Sequence, residues 1–121
     1  MVDVSQNSEL QGLALRVQDF ARRRDWDQFH SPKNLASALI VEAGELLEHF
    51  QWLTEDQSKN ISSEKKQAVA YEMADVLLYL LQISNALQID LIEVAHRKID
   101  LNEKKYPEEV ARGNCRKYDE L

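Results

Sequence analysis

The chain has 121 residues, 44% hydrophobic and 30% charged, with a net charge of −6 at pH 7. That is enough for a single domain spanning residues 1–121 with a modest core, and too apolar for a disordered tail. The acidic balance argues against a protein that wraps a nucleic-acid chain. The longest apolar runs, ALIV and VLLYLL, fall far short of the ~20 residues of a membrane span. The opening MVDVSQNSEL has neither the basic nor the apolar region of a signal peptide. A lone Cys115 cannot form an intrachain disulfide, so the cytoplasm is the expected compartment.

Three glycines and two prolines leave little turn material, and period and punctuation predict four long helices. The first is expected from Ser8, which has capping-box spacing to Gln11, to about Arg24. The second takes Ser31 as N-cap and Pro32 at its first position, and runs to about Leu53. The third starts near Ser62 or Ser63 and extends through AVAYEMADVLLYLLQISNALQ. The fourth begins after Asp90 and ends near Tyr106, because Pro107 disfavours helix in the residue before it. The tail, about 107–121, is expected to be irregular. The fold class is all-α, a four-helix bundle.

The chemistry lies in the second and third helices. Glu42 and Glu45 are three apart and share a helix face, and Glu72 and Asp75 repeat the spacing. Glu72 and Asp75 lie among Val69, Met73, Val76, Leu77 and Leu80, which are expected to face a core. No Lys or Arg stands one turn away to neutralise them, and an unpaired buried carboxylate costs several kcal/mol. Side by side, the two helices would carry a patch near −4 that requires cations. Hard oxygen ligands without paired His or Cys select Mg²⁺, with Mn²⁺ as a substitute. Four carboxylates suit more than one ion and a phosphorylated ligand. Gly44, mid-helix between two of the acids, suggests close approach by a neighbouring helix or a ligand. Glu48 extends the row, as an outer contact or as plain solvated surface. A di-iron site is excluded, since only Glu93 and His96 have the E-x-x-H spacing and two such pairs are needed.

Glu42-x-x-Glu45, followed after residues 46–71 by Glu72-x-x-Asp75, resembles the all-α nucleoside triphosphate pyrophosphohydrolases of the MazG-like superfamily, nearest to its dCTP pyrophosphatase branch. RDWDQFHSPKNL, EAGELLEHFQW, YEMADVLLYLL, KIDLNEKKYP and RKYDEL carry the likeness over about residues 10–121. The resemblance implies Mg²⁺-dependent hydrolysis of a (deoxy)nucleoside triphosphate to monophosphate and pyrophosphate, with dCTP or a modified dCTP as the expected substrate and a dUTP-type or broad specificity as the alternative. It implies Glu42, Glu45, Glu72 and Asp75 as metal ligands, and Glu45 as the acid that orients or deprotonates the attacking water.

By the same resemblance, Trp26, His30, Trp52 and Tyr79 contact the nucleoside. Without it, core packing is the simpler account of Trp52 and Tyr79, and backbone-satisfied turn chemistry that of His30; Trp26 is open. Lys98 and Asn102, one turn apart on the fourth helix, would lie near the nucleotide, with a solvent-facing row as the alternative. Arg116 and Lys117 could close over the triphosphate. Gln18 stands where vertebrate members carry a histidine near the base, which loosens a strict dCTP expectation. The chain also lacks their long C-terminal extension, as a compact bacterial version would. A homo-oligomer, dimer or tetramer, is implied, with no nucleic-acid chain and no membrane as partner. The competing reading is a non-catalytic helical interaction module whose acids are structural and whose aromatic residues form an oligomer interface.

Overall fold

A computed structural model describes residues 4–121, with side chains from Glu9 onward. Its described residues are all-α, with six helices and no strand. The chain divides into two compact units, Met1–Gln88 and Ile89–Leu121. The first holds α1 (Val4–Arg23), α2 (Pro32–Glu48), the one-turn α3 (Glu55–Ser58) and α4 (Ser63–Leu87). The second holds α5 (Leu91–Lys105) and the short α6 (Glu108–Ala111).

The helix starts follow local polar chemistry. The hydroxyls of Ser31 and Ser62 and the carboxylate of Asp90 accept from the backbone N–H groups of Asn34, Lys65 and Glu93, satisfying donors that a first turn leaves free. Two boundaries differ from the sequence expectation. The α1 backbone begins at Val4, so Ser8 is interior to the helix; its side chain lies outside the described residues. At the other end of the acidic stretch, α2 stops at Glu48 rather than near Leu53. There Thr54 and Gln57 close a capping box that starts α3, a reciprocal pair that competes with further winding of α2. The tail is mostly irregular, broken by α6 and a 3₁₀ turn over Tyr118–Glu120.

In the first unit α4 packs along α2 and, less extensively, along α1. Val17 and Ala21 of α1, Leu35 of α2 and Val69 and Leu81 of α4 form its buried centre. The half-buried Asn85 fixes the register of α1 on α4 by donating its side-chain N–H to the Ala14 carbonyl at 3.0 Å. Met73, Leu77 and Leu80, expected to face a core, are exposed instead, as are Ile40, Val41 and Leu47 of α2. A helix among so few neighbours buries one stripe, and here that stripe runs through Val69 and Leu81. In the second unit, the Tyr106 and Tyr118 rings meet edge to face at 6.3 Å, with the Lys105 ammonium 4.9 Å from the Tyr118 ring centre. No single helix among the described residues is long and apolar enough to cross a membrane.

Candidate active site

Helical spacing puts Glu42 and Glu45 one turn apart on α2, and Glu72 and Asp75 one turn apart on α4. Packing of α4 on α2 brings Glu42, Glu45 and Glu72 together, with one carboxylate oxygen of each within 4.8 Å of the others. All three are half-buried. One oxygen of Glu42 and one of Glu72 are sealed from solvent without a hydrogen-bond partner among the described residues. No described Lys, Arg or His forms an ion pair with any of the four acids.

Electrostatics follow from that crowding. Burial, then Glu45 and Asp75 beside it, push the Glu42 carboxyl up to about 7. Glu72 is also raised, first by burial and then by the charge of Glu45. The Tyr79 hydroxyl is raised by burial and by the field of Glu42, Asp75 and Glu45. Orphaned, partly desolvated oxygens from an all-carboxylate set are what a hard divalent cation satisfies. Glu42, Glu45 and Glu72 could therefore hold one, with Asp75 one turn further on.

Asp75 also borders a groove of about 430 Å³ between α1, the turn after it, and α4. Leu13, Val17, Phe20, Ala21 and Leu78 make its apolar wall, and Trp26, His30, Tyr79, Arg16 and Gln82 give it aromatic and polar edges. The backbone turn that aims Trp26 is local. Asp25 takes a left-handed conformation (φ 55°), the Trp26 N–H bonds back to the Ala21 carbonyl at 3.0 Å, and the Asp25 N–H bonds to that of Arg22 at 3.0 Å. This is the Schellman arrangement with aspartate in the usual glycine position, and it closes α1 while carrying the indole back over the helix. The Gln28 side-chain amide braces the turn on the Asp25 carbonyl and carboxylate at 2.9 and 3.0 Å. Trp26 meets Phe20 edge to face at 5.8 Å and His30 at 6.1 Å, yet stays 42% exposed. An indole held by its edges and open to water on one side is suited to stacking.

The remaining candidates fall elsewhere. Gln18 lines a smaller neighbouring cavity of about 210 Å³, which shares Ala21, His30 and Gln82 with the groove. Trp52 follows α2 and is 86% exposed, so neither core packing nor the groove holds it within this chain. Lys98 is exposed and Asn102 half-buried on α5, in the second unit, where Arg116 and Lys117 are exposed too. Glu48 faces solvent. The close approach of a helix expected at Gly44 is not found: a Cβ there would meet nothing within 4 Å among the described residues. Gly44 is exposed while its neighbours at 42 and 45 turn inward, because residues one or two apart on a helix do not share a face. Arg16 and Gln82 were missed. Gln82 continues the 72, 75, 79 row at helical spacing, a visible signal, whereas nothing local distinguishes Arg16 from ordinary helix surface.

Residues 38–121 match the MazG-like family. Human dCTP pyrophosphatase 1 is 42% identical over 105 residues, covering 85% of this chain and 62% of the human protein. The mouse dCTP pyrophosphatase 1 is 40% identical over the same coverage, so the chain spans less than two thirds of the length of these relatives. Among solved structures, a pyrophosphatase from Archaeoglobus fulgidus superposes with a TM-score of 0.78 at 39% identity, covering 82% of this chain and 93% of that one. An acid pair on each of two packed helices, an all-α frame and these likenesses have one common explanation: the chain belongs to the MazG-like family.

Proposed function

We propose that this chain is a magnesium-dependent nucleoside triphosphate pyrophosphohydrolase. It converts a deoxynucleoside triphosphate, dCTP or a base-modified dCTP, to the monophosphate and pyrophosphate, in a cytoplasmic housekeeping role over the nucleotide pool. The observation that carries the reading is the junction at Asp75, where a crowded carboxylate cluster with two orphaned oxygens adjoins an aromatic-edged groove. Phosphates and their cations suit the first, and a nucleoside suits the second.

In this reading Glu42, Glu45, Glu72 and Asp75 hold Mg²⁺, with Mn²⁺ able to substitute. When bound, the metal offsets the negative charge of the triphosphate and polarises the phosphorus under attack. Glu45 orients a water and takes one of its protons as the water oxygen bonds to the α-phosphorus. The bond from that phosphorus to the oxygen bridging to the β-phosphate breaks, and pyrophosphate leaves. The raised Glu42 carboxyl would give up its proton in becoming a ligand, so the four side chains themselves carry less negative charge while Glu42 is protonated. Trp26 stacks on the base, and His30 and Tyr79 flank the nucleoside. Likeness to the family extends the nucleotide contacts to Gln18, Trp52, Lys98 and Asn102. The exposed apolar side chains on α2 and α4 fit burial in a homo-oligomer, a dimer or tetramer.

A nucleotide panel tests this directly. Pyrophosphate release from dCTP is expected with millimolar Mg²⁺ and lost with a chelator. No release from any nucleotide would leave a helical interaction module as the better account.

A further inference from the structure

Gln82 and Arg16 are the two polar groove residues that the catalytic reading leaves unused, and the fold puts both at one end. Gln82 lies seven residues beyond Asp75 on α4, roughly 10 Å from it along the axis. The hydrogen bond from Asn85 to the Ala14 carbonyl ties that stretch of α4 to α1 two residues before Arg16. Neither side chain makes a hydrogen bond or ion pair with another described residue, although Gln82 is half-buried and borders both cavities. With a triphosphate at the acids, this remote end falls to the base.

We propose that Arg16 and Gln82 read the hydrogen-bonding edge of the base in this groove and favour cytosine over uracil. The inference rests on the pyrophosphohydrolase reading and extends it to the choice of substrate. Arg16 offers only donors, in a fixed fork that matches two adjacent acceptors. Cytosine presents such a pair, N3 and O2, beside an amino donor that the Gln82 carbonyl oxygen can accept. Uracil replaces the N3 acceptor with an N–H and the amino group with an oxygen. The first faces the guanidinium donor to donor, and the second makes Gln82 turn its amide over. The glutamine tolerates that reversal and the arginine does not, so Arg16 carries the larger share of the discrimination. Arg16 is exposed in the free chain, and a base seated against the apolar wall would cover these contacts, which makes an unmatched polar pair costly.

Steady-state kinetics with dCTP and dUTP isolate the edge at constant ring size. The wild-type chain, Arg16→Met and Gln82→Leu are compared, with helical circular dichroism confirming that each variant folds. The wild type is expected to favour dCTP in kcat/KM. Arg16→Met should cut that preference by roughly tenfold or more, and Gln82→Leu by less, chiefly through KM for dCTP. Should both substrates weaken equally in each variant, the residues support the fold or the phosphates and the inference falls. It falls too if the wild type prefers dUTP or treats the two alike. Failure of the wild type to hydrolyse any nucleotide removes the underlying reading as well, so the two failures are distinguishable.

Discussion

The two halves of the candidate site are built on opposite terms. At the carboxylate cluster, three acids within 4.8 Å and two sealed, unpartnered oxygens oppose folding of the empty chain. The groove at the other side of Asp75 is made of ordinary packing that stops short of closing, with a Schellman turn setting one aromatic at its edge. A fold tolerates the first only where something outside the chain compensates for it; the second costs little beyond exposed apolar surface. Strained electrostatics therefore mark where chemistry is expected, and open apolar packing marks where recognition is expected.

Substitutions should separate the halves, kcat answering to the cluster and KM to the groove. The largest effect is expected from Glu45→Gln, which removes a base and a charge while keeping the shape. Turnover of dCTP should fall by roughly 10²–10⁴-fold with the helical circular dichroism unchanged; undiminished turnover would take Glu45 out of the site. Next comes Trp26→Ala. Loss of one stacking face should raise KM by roughly tenfold, unequally among bases, with a smaller change in kcat. A uniform rise, or none, would end the stacking assignment and blur the contrast between the halves.

The smallest effect concerns stability. The carboxyl of Glu42 stands at about 7 in the folded chain against 4.5 for an ordinary glutamate. Between those values the folded chain holds more protons than the unfolded one, so this contribution is complete below about pH 4.5 and lost as the pH rises through about 7. Glu42→Gln should abolish that loss. Without metal, its Tm relative to the wild type should climb by a few degrees from pH 4.5 to pH 8. Millimolar Mg²⁺ at pH 8 should raise the wild-type Tm and narrow the gap, because a ligand binding only the folded state stabilises it. Parallel pH profiles for the two proteins would show that Glu42 is not held in a crowded cluster.

Local signals were the dependable part of the sequence. Ser31 with Pro32, the Ser62–Ser63 pair and Asp90 marked three helix starts because a cap is a short-range hydrogen bond to the chain's own backbone. The end of α2 falls short of the expected Leu53 because the Thr54–Gln57 capping box, equally local, is a rival helix nucleus. Apolar spacing overstated the core: Met73, Leu77 and Leu80 have the right period, yet period says which residues share a stripe and not whether any partner covers it. Gly44 is similar: no described helix stands opposite it, and a missing side chain does not reveal which helix packs where.

By itself the sequence determined the helical frame, the pairing of acids along α2 and along α4, and the likeness to a family, all of which follow from spacing within single elements. Only the tertiary structure decided that Glu72 meets Glu42 and Glu45, that an oxygen of Glu42 and one of Glu72 are sealed from solvent, and that Arg16 and Gln82 share a groove with Trp26. The physical reason is distance along the chain. Contacts between residues dozens of positions apart depend on how whole helices pack, and packing is set by the sum of many weak apolar contacts that no short motif records.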